Sequence, residues 1–135
     1  MFAEFERDIH ALEEAGTPLT ADRLCTDYLA LNRDYYPGMA LHPSIAYEWC
    51  RIPHFYYDFY VYKYATSFCA ALVFARRIRE GRDVDAYLTL LRSGGSRPPL
   101  EAVAAAGVDL STPAVYTEAF AEFTTLLTRL ESALS

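Results

Sequence analysis

Residues 51–67 read RIPHFYYDFYVYKYATS and hold five of the chain's eleven tyrosines, directly after His54. The side chains that recur here every three or four residues are those of Tyr57, Val61, Tyr64 and Phe68. This spacing is that of one helix face, and the stretch is apolar on most other sides as well. We therefore predict one long central, aromatic-rich helix over residues 55–80, the longest of the chain, ended by Gly81 and buried on several sides.

Apolar residues at helical spacing also mark the segments on both sides of this stretch. Thr20 is the predicted N-cap of one of them, and Pro113 opens the last one at its first position. No segment alternates between apolar and polar residues for long enough to predict a strand. The fold class is therefore predicted to be all-α, an irregular bundle of about seven helices in a single domain over residues 1–135.

The composition limits the classes of partner and compartment. With 53% hydrophobic and 22% charged residues among 135, the chain is expected to form a packed core. A net charge of −6, without a run of Lys or Arg, argues against nucleic-acid binding. The longest weakly charged run, residues 65–75, is too short to cross a membrane. Three widely spaced cysteines form neither a disulfide framework nor a CxxC metal site, which favours a cytoplasmic location.

The tyrosines of residues 51–67 have two interpretations. A row of phenol donors beside the imidazole of His54 suits a cleft, where these groups can hydrogen-bond a peptide carbonyl or an oxyanion that develops from it. Aromatic residues at this spacing also pack as an ordinary helical core, with the tyrosine tips reaching water. Spacing alone favours core packing.

The acidic first helix carries the chain's main candidates for metal ligands. Glu6, His10 and either Glu13 or Glu14 lie on successive turns, where a carboxylate and an imidazole can share a metal ion. A solvated acidic helix face, with a contact between side chains four residues apart, is the favoured interpretation. The HExxH pattern that holds zinc in many peptidases is absent from the sequence.

Three long stretches resemble one known family. They are MFAEFERDIH at residues 1–10, RIPHFYYDFYVYKYATS with Glu48 and Trp49 before it, and LLRSGGSRPPLEAVAAAGVDL at residues 90–110. Together they resemble the C-terminal region of oligoendopeptidase F, a member of the M3 family of zinc metallopeptidases related to thimet oligopeptidase. The resemblance covers essentially the whole chain in order.

The resemblance implies a fold, an activity and site residues. Family members are mainly helical and cleave oligopeptides with a zinc ion held by HExxH and a downstream glutamate. A histidine and tyrosines of the C-terminal region bind the substrate and stabilise the oxyanion. By this resemblance His54 is the substrate-binding histidine, and Tyr64 ends the YxY element as an oxyanion donor. Tyr57 is the second donor, with Tyr60 as its rival and as a substrate-binding residue.

The resemblance also implies what this chain lacks. It looks like the last part of the family's catalytic domain, so we expect no zinc on this chain alone, no activity alone, and a need for the missing zinc-bearing upstream segment. A truncated product, half of a split enzyme and an excised piece all remain open. The alternative function is a non-catalytic helical module that binds peptides or proteins, and self-association into a homo-oligomer through an exposed parent interface is a third interpretation.

Overall fold

A computed structural model describes all 135 residues as a helical chain without strands. Its α-helices are α1 (Phe2–Glu14), α2 (Ala21–Tyr35), α3 (Tyr62–Arg79), α4 (Val84–Ser93), α5 (Pro99–Ala105) and α6 (Pro113–Leu134). Two 3₁₀ helices, Pro43–Arg51 and Pro53–Tyr56, lie between α2 and α3. The predicted all-α class is confirmed. None of the helices is both long and apolar enough to cross a membrane.

Local capping chemistry sets several helix ends as predicted. The Thr20 side-chain oxygen accepts a hydrogen bond from the Arg23 backbone N–H at 3.3 Å, which caps α2. Pro113 opens α6 directly after Thr112, where its missing N–H costs nothing. Gly81 has a φ of 71° just after α3, a left-handed conformation that glycine adopts without strain.

The predicted helix over residues 55–80 is wrong in its first part. Only Tyr62–Arg79 is α-helical, and residues 57–61 form an irregular segment, which we call the tyrosine loop. Asp58 and Phe59 within it have φ values of 50° and 51°, which no right-handed helix contains. Periodicity indicates which residues could share a face, but it says nothing of a distant group that competes for the same backbone N–H groups.

Two further details of the predicted central helix are corrected by the structure. With 18 residues α3 is shorter than α6, which has 22. Its buried residues are Ala70, Val73 and Phe74, whereas Phe68 is 65% exposed. Within α3 the first buried residue is therefore Ala70, beyond the tyrosines, where small residues allow close packing.

Contacts along the chain divide it into two compact units, Met1–Lys63 and Tyr64–Ser135. The first unit is built on an aromatic core: the Phe5 ring meets those of Tyr28 and Phe55 edge-on, with centroids 5.0 and 5.2 Å apart. The Tyr28 hydroxyl donates to a carboxylate oxygen of Glu48 at 2.8 Å. Burial, together with this carboxylate, raises the pKa of Tyr28 far above its ordinary value.

The second unit combines a core of small and branched residues with buried ion pairs. The buried core residues are Ala70, Val73, Phe74, Ala106, Val108, Val115 and Ala119. At its edge, the Glu118 carboxylate accepts hydrogen bonds from Arg76 at 2.6 Å and from Arg77 at 3.1 Å, with its side chain 18% exposed. Arg77 also donates to the Gly107 carbonyl at 2.9 Å, so Glu118 and Arg77 tie α3 and α6 to the end of α5.

Glu118→Gln is predicted to make the unfolding free energy less sensitive to acid. The hydrogen bond and charge of Arg77 lower the pKa of Glu118 below its ordinary 4.5. A carboxylate whose pKa is lower in the folded state than in the unfolded state makes its full contribution to the unfolding free energy at pH values above the unfolded-state pKa. This contribution is lost as the pH falls through the folded-state pKa. The variant should therefore be less stable by about 1–3 kcal/mol at pH 7, with a difference that shrinks below about pH 4.5.

Denaturant unfolding followed by circular dichroism at a series of pH values measures this difference. Glu101→Gln, at an exposed position of the same unit, is the matched control and should track the unchanged chain at every pH. A Glu118→Gln deficit that stays constant from neutral to acid pH would contradict a role for the carboxylate charge.

Candidate functional site

The tyrosine loop brings three predicted site residues together within the first unit. The His54 and Tyr60 rings are stacked, with centroids 5.4 Å apart and planes inclined by 19°. Tyr57 lies edge-on to both, 6.4 Å from His54 and 6.0 Å from Tyr60. We call His54, Tyr57 and Tyr60 the His54 cluster.

The His54 cluster lies at the surface. Tyr57 is 60% exposed and Tyr60 36% exposed, while the His54 ring is half-buried. The ammonium group of Lys63 lies 4.7 Å from the centroid of the Tyr60 ring, a distance at which a cation is attracted to an aromatic face. The cluster therefore lies at the surface beside a positively charged side chain.

The Glu6 side chain binds the C-terminal end of the tyrosine loop. Its side chain is 1% exposed, and its two carboxylate oxygens each accept one backbone N–H, from Tyr60 and from Val61, both at 3.1 Å. These N–H groups directly precede α3, where a helix dipole favours negative charge. The buried carboxylate is thus compensated by two hydrogen bonds and by the start of a helix.

This role corrects both interpretations of Glu6 drawn from the sequence. Glu6 is neither part of a solvated acidic face nor a member of a metal-ligand set, because both of its oxygens are engaged by backbone N–H groups. The sequence did carry a signal, since Glu6 lies on the same helix face as Phe2, Phe5 and Ile9. An acidic residue in an apolar stripe needs a buried partner, but the sequence pattern does not identify that partner.

His10 packs against the strained part of the loop. Its ring centroid is 4.0 Å from that of Phe59, and its Nε2 lies 3.6 Å from a carboxylate oxygen of Asp58. Its Nδ1 is 2.8 Å from the Glu6 carbonyl oxygen, so its imidazole is held from one turn earlier in α1. The predicted metal-ligand candidate is therefore a packing residue for the loop.

Two other tyrosines of residues 51–67 lie in other elements of the chain. Tyr64, the predicted end of the YxY element, is the third residue of α3 and belongs to the second unit, with 55% of its surface exposed. The Tyr56 hydroxyl donates to the Cys50 carbonyl at 3.3 Å. The stretch predicted as one helix face is therefore divided between the tyrosine loop and the start of α3.

The residues of this chain do not fit a zinc site. No group of three or more His, Cys, Asp or Glu side chains is arranged to hold a metal ion. The nearest candidates by sequence, Glu6 and His10, already serve the tyrosine loop.

Comparison with known proteins identifies the family of this chain. The sequence profile of Peptidase family M3 matches residues 1–122. The chain is 45% identical over 133 residues to an oligoendopeptidase F homolog of Lactococcus lactis subsp. lactis, covering 96% of this chain and 22% of that protein. It is 42% identical to the oligopeptidase PepF of Bacillus subtilis, covering 99% of this chain and 20% of that one.

A solved structure gives the same assignment. A Chlamydophila abortus protein described as a candidate peptidase superposes with a TM-score of 0.82 at 41% identity, over 97% of this chain and 22% of that one. Because the family profile matches residues 1–122, this chain belongs to peptidase family M3. It spans about a fifth of the length of these three relatives, between 20% and 22% of each.

Asp58→Gly is predicted to raise the unfolding free energy by about 0.5–1 kcal/mol, because glycine adopts a φ of 50° without the steric cost that a side chain carries. Losing the contact between the Asp58 carboxylate and His10 costs little stability, since the Asp58 side chain is 89% exposed. Phe59→Gly is the matched control: it relieves the same strain but removes the ring contact with His10, so it should destabilise. Urea unfolding of both variants tests this, and equal destabilisation would show that the loop stores no strain.

Proposed function

We propose that this chain supplies the substrate-binding and oxyanion-stabilising wall of an M3-type zinc metalloendopeptidase that hydrolyses oligopeptides. In this proposal His54 and Tyr60 bind the substrate peptide, and Tyr57 and Tyr64 donate hydrogen bonds to the oxyanion. The observation that carries it is the solvent-facing His54 cluster in a chain of a peptidase family. Three free cysteines are compatible with the cytoplasmic location we include in the proposal.

The chemistry of the cluster suits peptide hydrolysis. A phenol O–H can donate to a carbonyl oxygen in the ground state and more strongly to the oxyanion that forms when the carbonyl is attacked. Tyr57 and Tyr64 are 60% and 55% exposed, so a substrate can reach their hydroxyls. Hydrogen-bond donors that are already in place need not reorder during the reaction. The contacts of Glu6 with the tyrosine loop supply this preorganisation.

Zinc, when bound in the parent enzyme, would supply an activated water and polarise the scissile carbonyl. Residues of this chain do not form its ligand set, so the proposal assigns the metal to a zinc-bearing segment outside these residues. That segment and the oligopeptide are the partners proposed for this chain. The chain alone is then catalytically incomplete, and it is expected to cleave no peptide with or without added zinc.

A chimaera tests the proposed roles. The part of this chain that aligns with the Lactococcus lactis oligoendopeptidase F homolog replaces the matched segment of that protein, and hydrolysis of a quenched-fluorescent oligopeptide is measured. The chimaera is expected to cleave the peptide, and Tyr64→Phe in it should lower kcat by about 10²–10³-fold while KM changes little, the loss typical of an oxyanion donor.

Tyr47→Phe is the matched control, since Tyr47 is 63% exposed on the first 3₁₀ helix and has no role in the proposal. It should leave kcat unchanged. An equal loss in Tyr47→Phe and Tyr64→Phe would remove the basis for a special role of Tyr64. A chimaera that folds but cleaves nothing would overturn the proposed function.

The surface of α6 favours a second candidate function, a non-catalytic helical module that associates with itself or with another protein. Large apolar side chains remain exposed along this helix: Phe120 at 65%, Phe123 at 60%, Leu130 at 54% and Leu134 at 80%. Contiguous exposed apolar surface of this kind usually marks an interface. We propose that self-association through this face occurs when no partner covers it.

Phe120→Ser combined with Phe123→Ser is predicted to abolish self-association, because it removes the two largest apolar side chains of the α6 surface. Sedimentation velocity at high protein concentration should show oligomers for the unchanged chain and a monomer for the double variant. Thr124→Ser combined with Thr128→Ser, on the same helix, controls for general effects on α6. A clean monomer of the unchanged chain would rule out self-association through this face.

A further inference from the structure

We propose that Glu6 is a positioning residue for substrate binding: its carboxylate holds the tyrosine loop, residues 57–61, in the form that stacks Tyr60 on His54. Without this carboxylate the loop joins α3 as additional helix. The structural part of the inference stands by itself. Its consequence for peptide binding rests on the proposed function of the His54 cluster.

The geometry requires a carboxylate at this position. Both oxygens of Glu6 accept N–H groups from consecutive residues, Tyr60 and Val61, at 3.1 Å each, in a place that is 1% exposed. A glutamine of the same size has one acceptor oxygen and one NH₂ group. Its NH₂ group would face a second N–H donor, so one of the two backbone groups would lose its partner.

The two N–H groups that Glu6 binds are the ones that a longer α3 would use. In a continuous helix the Tyr60 N–H donates to the carbonyl of Tyr56, and the Val61 N–H donates to that of Tyr57. While Glu6 accepts from both, neither helical bond can form. The periodicity of residues 55–80 predicts this longer helix, so the sequence itself contains the competing conformation.

The His54–Tyr60 stack exists only in the loop form. Residues six apart in a continuous helix are separated by about 240° around its axis, so their side chains point away from each other. In the structure Asp58 and Phe59, both with positive φ, reverse the local path, and the two rings lie 5.4 Å apart. Glu6 therefore decides whether the substrate-binding pair is assembled.

Nuclear magnetic resonance of the full 135-residue chain tests this inference. Stacked on Tyr60, the His54 imidazole protons should resonate upfield of a free histidine. In Glu6→Gln this ring-current shift should fall by at least about half, and the Cα shifts of residues 57–61 should move towards helical values. Unchanged His54 and loop signals in a folded Glu6→Gln chain would overturn the proposal.

A buried polar residue elsewhere in the first unit separates positioning from mere stability. Asn32 is also 1% exposed, and its side chain donates to the Tyr28 carbonyl at 2.9 Å. Asn32→Ala should lower the unfolding midpoint but leave the His54 signals in place. Glu6→Asp, which keeps the charge on a shorter side chain, should recover part of the His54 shift that Glu6→Gln loses.

Hydrogen exchange in the unchanged chain keeps the inference testable even if the Glu6→Gln chain fails to fold. The Tyr60 and Val61 amides lie before α3 and have their partner in Glu6. They should exchange at least about tenfold more slowly than unstructured amides. Exchange at the unstructured rate would overturn the inference without any variant.

Peptide binding separates this inference from the proposed function. An acetylated, amidated octapeptide is titrated into each chain, and its Kd should weaken about tenfold in Glu6→Gln and less than about twofold in Asn32→Ala. If the unchanged chain binds no octapeptide at millimolar concentration, peptide binding by this chain fails while the His54 signals still decide the role of Glu6. If Glu6→Gln binds the peptide as well as the unchanged chain does, Glu6 does not position the binding residues.

Discussion

The arrangement of the first unit depends on one buried carboxylate. Glu6 accepts the N–H groups of Tyr60 and Val61, which lie 54 and 55 positions further along the chain. This contact fixes where α3 begins, and it fixes the path by which the chain arrives there from the 3₁₀ helix Pro53–Tyr56. The aromatic core around Phe5 holds α1 in place. This packing sets the position from which Glu6 reaches the tyrosine loop.

The conformational cost of the tyrosine loop and the stabilisation by its hydrogen bonds to Glu6 are of similar size. Two non-glycine residues with left-handed backbone, Asp58 and Phe59, cost of the order of 1–3 kcal/mol each. Two hydrogen bonds to a charged acceptor contribute about 1.5–3 kcal/mol each, net of the water they replace. Because the two sums are comparable, the loop persists only while both oxygens of Glu6 are engaged. The ring contact of His10 with Phe59 adds packing on the strained side.

Local sequence signals predict most of the fold but not the loop. The all-α class, the Thr20 cap of α2 and the start of α6 at Pro113 follow from residues that lie within a few positions of the helix ends they set. The break before Tyr62 depends on an acidic residue in another helix, and no local pattern contains that information. Glu6 could have been recognised as unusual because it lies in an apolar stripe, but its partner requires the structure.

The same long-range contact gives Tyr57 and Tyr60 different surroundings. On one continuous helix Tyr60 would point away from His54, whereas in the tyrosine loop Tyr57 and Tyr60 each have a separate ring contact with His54. Tyr60 is held on several sides: its ring by His54 and Lys63, its backbone by Glu6. Tyr57 is more exposed, 60% against 36%. A fixed ring suits the binding of a substrate, and an accessible side chain suits donation to a charge that forms during the reaction. For this reason our proposal gives substrate binding to Tyr60 and donation to the oxyanion to Tyr57.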